Sequence, residues 1–342
     1  MAFLSASDEM PSRKVSVVRA SVKGALTAFG MLGMLRRVAG RTTDRIVIMF
    51  HGVDGDGSVR FNRRFVGADQ LKTLLLEFRR GWDVVPLETI FSERRTRIRR
   101  PLLAVTFDDG QKNNLSHALP VLEECRVPAT FFVTALRTMD KAILWFDAVD
   151  IYSTLHDGPF TFGRHVFRKR HDGQLANDAG DLNAFVMGLQ HVEKYLVIDK
   201  LKSEARARLE ELPELDPYWK LLDESDIRAL SRSPYVEIGS HATSHTNLTL
   251  LTDAAVHAEL QESKAYLEST TGLPCRSLAF PNGSYDDRIV RMAHDAGYTR
   301  QLAVTYARPE DARDMRLHWR LGLYPDRPVE ALTALVREAC PP

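Results

Sequence analysis

The sequence predicts an α/β fold in which parallel strands alternate with crossover helices, and three observations carry that prediction. Residues 46–50 form a continuous apolar, β-branched run that ends in His51-Gly52, the pattern of a strand buried on both faces as it reaches a tight turn. Residues 102–107 repeat the pattern and end in Asp108-Asp109-Gly110. Between the two, Leu71, Leu74, Leu75 and Phe78 recur at helical spacing and residues 82–85 read as a further strand, so the order is strand, helix, strand.

The same alternation continues along the chain. Residues 117–125 are helical and residues 129–133 are a strand introduced by Pro128. From about residue 148 to 234 the chain becomes more polar and loses the alternation, which predicts a mainly helical insertion with helices near 184–197, 200–212 and 224–231. The pattern resumes with a strand from Val236, an amphipathic helix over 254–269, a short strand at 278–280 and a helix over 288–296 that Gly297 ends. Residues 1–44 are expected to form a helical extension and residues 45–342 the main domain.

Composition excludes several classes of function. Forty-six Lys and Arg against 45 Asp and Glu leave a formal charge of +1, so no global field argues for nucleic acid. Three widely spaced cysteines give no disulfide framework and fit a reducing compartment. Arg13, Lys14, Arg19 and Lys23 precede an apolar stretch over 25–35 that is too short to span a bilayer and lacks a cleavage pattern. The expectation is a cytoplasmic protein. Its residues 13–38 would either pack on the main domain or touch the inner face of the membrane as a basic amphipathic helix.

Two clusters carry chemistry. Asp108 and Asp109 stand side by side at the end of a buried strand, where like charges at contact distance need a cation or a proton between them. His241 and His245 lie four residues apart after the strand that starts at Val236, flanked by Ser240, Thr243 and Ser244 rather than by an apolar helical face. One carboxylate and two imidazoles make a three-ligand zinc site with a position left for water. In parallel α/β folds the carboxyl ends of strands converge, so the two loops can meet.

These motifs resemble those of the polysaccharide deacetylases, carbohydrate esterase family 4, with Thr106-Phe107-Asp108-Asp109-Gly110 like the first motif and His241 to His245 like the second. Val127 to Phe132, Phe280-Pro281-Asn282-Gly283-Ser284-Tyr285 and Ala296-Gly297-Tyr298 agree, and the resemblance spans about residues 46–325. It implies a distorted (β/α) barrel of about seven parallel strands. It also implies a divalent metal, most naturally Zn2+, held by Asp109, His241 and His245, with Asp108 as general base.

Met49-Phe50-His51-Gly52 resembles the subgroup that includes the poly-N-acetylglucosamine deacetylases, which makes His51 the first choice for the acid and His318, in Leu317-His318-Trp319-Arg320, its rival. Pro281 and Asn282 are candidates for the oxyanion contact. Trp145 is either a platform for a sugar face, since the third motif lacks its usual arginine and carries Asn282 where an aromatic is common, or a core residue buried under the insertion. Ala242 and Thr246 depart from the second motif, so other hydrogen bonds are expected to orient the histidine loop.

The implied substrate is an acetylated amino-sugar glycan or its nucleotide- or lipid-linked precursor. An amidohydrolase acting on a non-sugar amide and a catalytically silent glycan-binding or assembly subunit are the alternatives.

Overall fold

The structure, a computed structural model, describes residues 44–55, 62, 64–92, 100–139, 143–171, 173–189, 191–206, 208–325 and 327–342. The expected N-terminal helix and its membrane contact fall outside these residues. The buried run at the start becomes β1 (Arg45–Phe50), followed by the short β2 (Val53–Asp54) and β3 (Val66–Gly67). Next comes α1 (Ala68–Gly81), whose Leu71, Leu74, Leu75 and Phe78 all face the core as their spacing requires. The two-residue β4 (Asp83–Val84), α2 (Leu87–Phe91) and β5 (Leu102–Phe107) follow, and every residue of β5 is buried. A π-helical turn over Asn114–Ala118 leads into α3 (Leu119–Cys125) and then β6 (Ala129–Val133).

The barrel resumes at β11 (Val236–Ser240), which requires four intervening strands, β7 (Phe160–Phe162), β8 (His165–Lys169), β9 (Leu175–Asn177) and β10 (Gly180–Asp181). These form a separate sheet joined by antiparallel pairs. Around them lie α4 (Trp145–Leu155), α5 (Leu182–Met187), α6 (His191–Ala205) and α7 (Glu224–Ser231). The segment thus carries a small sheet beside its helices, which the sequence did not announce. Its strands are two to five residues long, too short for alternation to stand out. The helices expected at 184–197 and 200–212 are cut differently, with one ending at Met187 and the next running to Ala205. Phe160, Phe167, Leu175, Val186, Val197 and Leu201 give this segment an apolar core.

The remaining elements are α8 (Asp253–Thr271), β12 (Ser277–Ala279), α9 (Asp287–Asp295), β13 (Arg300–Ala303), β14 (Leu317–Trp319), β15 (Leu321–Gly322) and α10 (Val329–Ala339). The main sheet runs β14-β13-β12-β11-β6-β5-β1-β15, with β4 added beside the start of β5, and all its pairs are parallel. Its two ends are consecutive in the chain. β14 pairs with β13 while β15 pairs with β1, and only Arg320 lies between them, so one interrupted strand closes the ring. Taken as one, they reduce the eight strands of that path to the expected seven. Inside the barrel the Phe107 ring lies 4.8 Å from Phe131 and 5.5 Å from Phe50, centroid to centroid. His51, Asp108, Asp109 and His241 all follow the carboxyl ends of strands in this ring.

Candidate active site

The carboxylate loop is built by backbone that few residues adopt. Asp109 has φ 77° and Gly110 φ 76°, two left-handed residues in succession directly after β5. Gly110 must be glycine on a second ground, since a Cβ there would sit 2.8 Å from Val133 Cγ1. The turn is pinned from both sides: the Thr134 hydroxyl donates to the Asp109 carbonyl, and the Leu222 N–H donates to that of Gly110.

This geometry sends the two carboxylates to different partners. Arg320 Nη1 and Nη2 donate to Asp108 Oδ1 and Oδ2 at 2.6 and 2.7 Å, a buried two-pronged pair. Burial works to raise the Asp108 carboxyl, but the Arg320 guanidinium and the nearby His241 hold it below its ordinary value. Asp109 Oδ1 lies 3.4 Å from His245 Nε2 and 3.6 Å from His241 Nε2. Burial would raise Asp109 as well, and His245, His51 and Arg64 hold it far below the usual carboxylate range.

The histidine loop follows β11. His241 Nδ1 bonds the Ala279 carbonyl at 2.8 Å, which leaves Nε2 to face Asp109. Burial lowers His241 to about 4, so the ring is neutral at physiological pH. Glu259, on α8, holds the turn: its Oε2 accepts the N–H groups of Thr243 and Ser244 at 2.8 and 2.9 Å, and its Oε1 accepts the Ser244 hydroxyl. Ala242 and His245 lie at φ 60° and 55° on this loop.

One oxygen of Asp109 and one nitrogen from each of His241 and His245 lie within 4.8 Å of one another. Asp109 Oδ2 is buried with no hydrogen-bond partner and only Arg64 Nη1, at 4.0 Å, as counter-charge, an arrangement costly in a dry site that a closer cation would relieve. The donor set and the orphaned oxygen suit a divalent metal.

The polysaccharide deacetylase sequence profile matches residues 96–301, which takes in both motifs. The chain belongs to the polysaccharide deacetylase family. No curated protein matches its sequence. Among solved structures it is similar to a de-N-acetylase from Aggregatibacter actinomycetemcomitans, at TM-score 0.52 and 14% identity over 85% of this chain and 99% of that one. It is similar to IcaB from Ammonifex degensii at TM-score 0.52 and 15% identity, over 86% and 97% of the two chains. Similarity to the Streptococcus pyogenes deacetylase PplD, solved with acetate, is TM-score 0.51 and 14% identity over 86% and 98%. At such identities these likenesses speak for the fold.

As a polysaccharide deacetylase the chain is a hydrolase of the family that acts on acetylated polysaccharides, and it carries an Asp-His-His group able to hold the ion on which that family depends. His51 follows β1 level with Asp108 after β5; burial lowers its imidazole, and Asp109, Arg64, Asp108 and Arg320 are the charges that act on it. His318 is elsewhere. Its ring packs against Phe91 at 6.1 Å, its Nδ1 bonds the Trp319 carbonyl, and the charge it feels is that of Arg45, at the start of β1. The Pro281–Gly283 turn follows β12, whose Ala279 carbonyl holds His241, and Asn282 takes φ 58° within it.

Trp145 offers no platform for a sugar. It is 5% exposed in the apolar core under the segment between β6 and β11, edge-on to Phe146 and covered by the Lys194 ammonium at 4.6 Å. An indole at the start of a helix buries its large apolar face wherever a core is within reach. Its neighbours matter more to the site. Phe146 packs edge-on against His245, Arg64 stacks on Phe146 at 4.0 Å, and Asp147 accepts from Asn62, Arg64 and Gln111. Burial raises Asp147 to about 6 despite Arg64.

Arg320 and Glu259 went unnoticed in the sequence. Arg320 left one signal, a charged residue between Trp319 and Leu321 in an otherwise apolar strand.

Two outcomes follow from these contacts. Replacing Arg320 by Met should cost the metal-free protein about 3–5 kcal/mol at neutral pH, because Asp108 is left charged and buried without its partner. Since the folded Asp108 carboxyl lies below its ordinary 3.8, the stability from the pair is complete above that pH and fades as pH falls through the lower folded value. Urea unfolding of wild type and Arg320→Met should therefore converge in acid, and a gap independent of pH would rule out the electrostatic account. Glu259→Gln should weaken zinc binding about 10- to 100-fold with the fold intact, measured by competition with a chelating dye.

Proposed function

We propose that this polysaccharide deacetylase hydrolyses the N-acetyl group of an amino sugar in a glycan or in its nucleotide- or lipid-linked precursor. The observation that carries the reading is the division of labour between adjacent carboxylates, Asp108 clamped by Arg320 and Asp109 shared between two imidazoles. A divalent ion held by Asp109, His241 and His245, zinc by the character of these donors, supplies Lewis acidity toward water and the acetamide carbonyl.

The protein groups do the rest. Asp108 takes the proton of the attacking water, and Arg320 keeps it ionised and fixed in orientation for that task. A carboxylate held low does not keep a proton for long. His51, which stands level with Asp108 at the neighbouring strand end, carries a proton to the departing amine. The oxyanion contact is assigned to the backbone N–H of Asn282, supported by the position of its turn after β12 and by a φ that few non-glycine residues adopt. Phe146 and Arg64 shield the His245 side of the site from water.

The test is acetate release from N-acetylated oligosaccharides and from nucleotide- and lipid-linked amino sugars, set against metal content. Asp108→Asn should lower turnover by about 10²- to 10⁴-fold with zinc retained. Asp109→Ala and His241→Ala should lose the metal itself, and His51→Ala should lower turnover at unchanged metal content. Zinc-loaded protein that releases no acetate from any of these substrates would falsify the proposal.

A further inference from the structure

Carbohydrate recognition needs a flat apolar surface with a polar edge, because a pyranose ring presents a face of C–H groups rimmed by hydroxyls. Among the described residues only one aromatic ring is strongly exposed. Tyr324 is 45% exposed, whereas all four tryptophans are buried. It stands on the rim of the barrel mouth that holds the site.

Its position follows from strand register. β15 pairs with β1 at Met49 and Gly322, and the Leu323 N–H donates to the Met49 carbonyl. Two residues further along each strand, Tyr324 comes level with His51. On the other side of β1, the Asp108 N–H donates to the Phe50 carbonyl, so Asp108 is the next neighbour across. Tyr324, His51 and Asp108 thus form a row across three adjacent strand ends.

The ring folds back over Gly322: a Cβ at that position would lie 3.3 Å from Tyr324 Cε2 and 3.5 Å from its hydroxyl oxygen. The hydroxyl makes no hydrogen bond to another described residue. Part-burial raises the phenol, and Arg64, Asp108, Arg320 and Asp109 are the charges near enough to act on it, while 45% of the residue stays open to solvent.

We propose that Tyr324 is the platform on which the sugar ring of the substrate stacks, its hydroxyl offered to a ring hydroxyl beside the acetamide. The proposal rests on the saccharide reading above. It replaces the role expected of Trp145 with a residue from the closing strand.

Binding and turnover separate the two ideas. In the Asp108→Asn background, affinity for an N-acetylglucosamine oligosaccharide, followed by calorimetry, should fall about tenfold with Tyr324→Ala and stay within about threefold with Tyr324→Phe and Tyr324→Trp. With Asp108 present, Tyr324→Ala should raise KM for the same oligosaccharide about tenfold and change kcat much less. Zinc content and thermal midpoint serve as checks that the barrel is intact. Unchanged affinity in Tyr324→Ala, or an equal loss in Tyr324→Phe, Tyr324→Trp and Tyr324→Ala, overturns the platform. Oligosaccharide binding that depends on Tyr324 without acetate release from wild type keeps the platform and sinks the deacetylation reading.

Discussion

The pairing of Arg320 with Asp108 is the contact on which the rest of this molecule turns. It is at once the seam of the barrel and the base of the site. The strand that closes the ring is interrupted at one residue, and that residue sends its guanidinium inward to both oxygens of Asp108. Buried ion pairs are weak evidence for stability, because desolvation costs about as much as attraction returns. Their value here is one of state, since an unpaired buried carboxyl would take up a proton and could not serve as the base proposed above.

The loops that carry the other groups are held in strained backbone. Asp109, Ala242, His245 and Asn282 all lie at φ values between 55° and 77°, where side chains are disfavoured. Such conformations cost on the order of 1–3 kcal/mol each and persist only where surrounding structure over-determines them. Thr134, Leu222 and Glu259 supply that determination through hydrogen bonds to the loops. Rigidity of this kind lets a three-ligand group exist before any ion arrives.

Much of this was legible in the sequence, for reasons that differ from residue to residue. Asp108 with Asp109 and His241 with His245 are local patterns, and buried parallel strands read as apolar runs, so the barrel and a group able to hold a metal both showed. Arg320 was hidden because its partner is 212 positions away and because its neighbour His318 drew attention through a loose motif match. Glu259 reads as one more polar residue on an amphipathic helix. The small sheet between β6 and β11 escaped because its strands and hairpins are short. Trp145 stayed open between surface and core because an aromatic after a strand reads equally well as either, and the structure buries it.

The interrupted closing strand also sets an order of events during synthesis. A ribosome delivers Asp108 long before Arg320, so for some two hundred residues of elongation Asp108 has no counter-ion and β1 has one free edge. Contacts of such separation form late and slowly, after local helices and adjacent strands have collapsed. A nascent or truncated chain that stops short of residue 320 would hold an open sheet with an exposed edge, prone to pairing with another chain. The counter-ion of Asp108 and the cover for the edge of β1 therefore arrive together, with the same short stretch of chain.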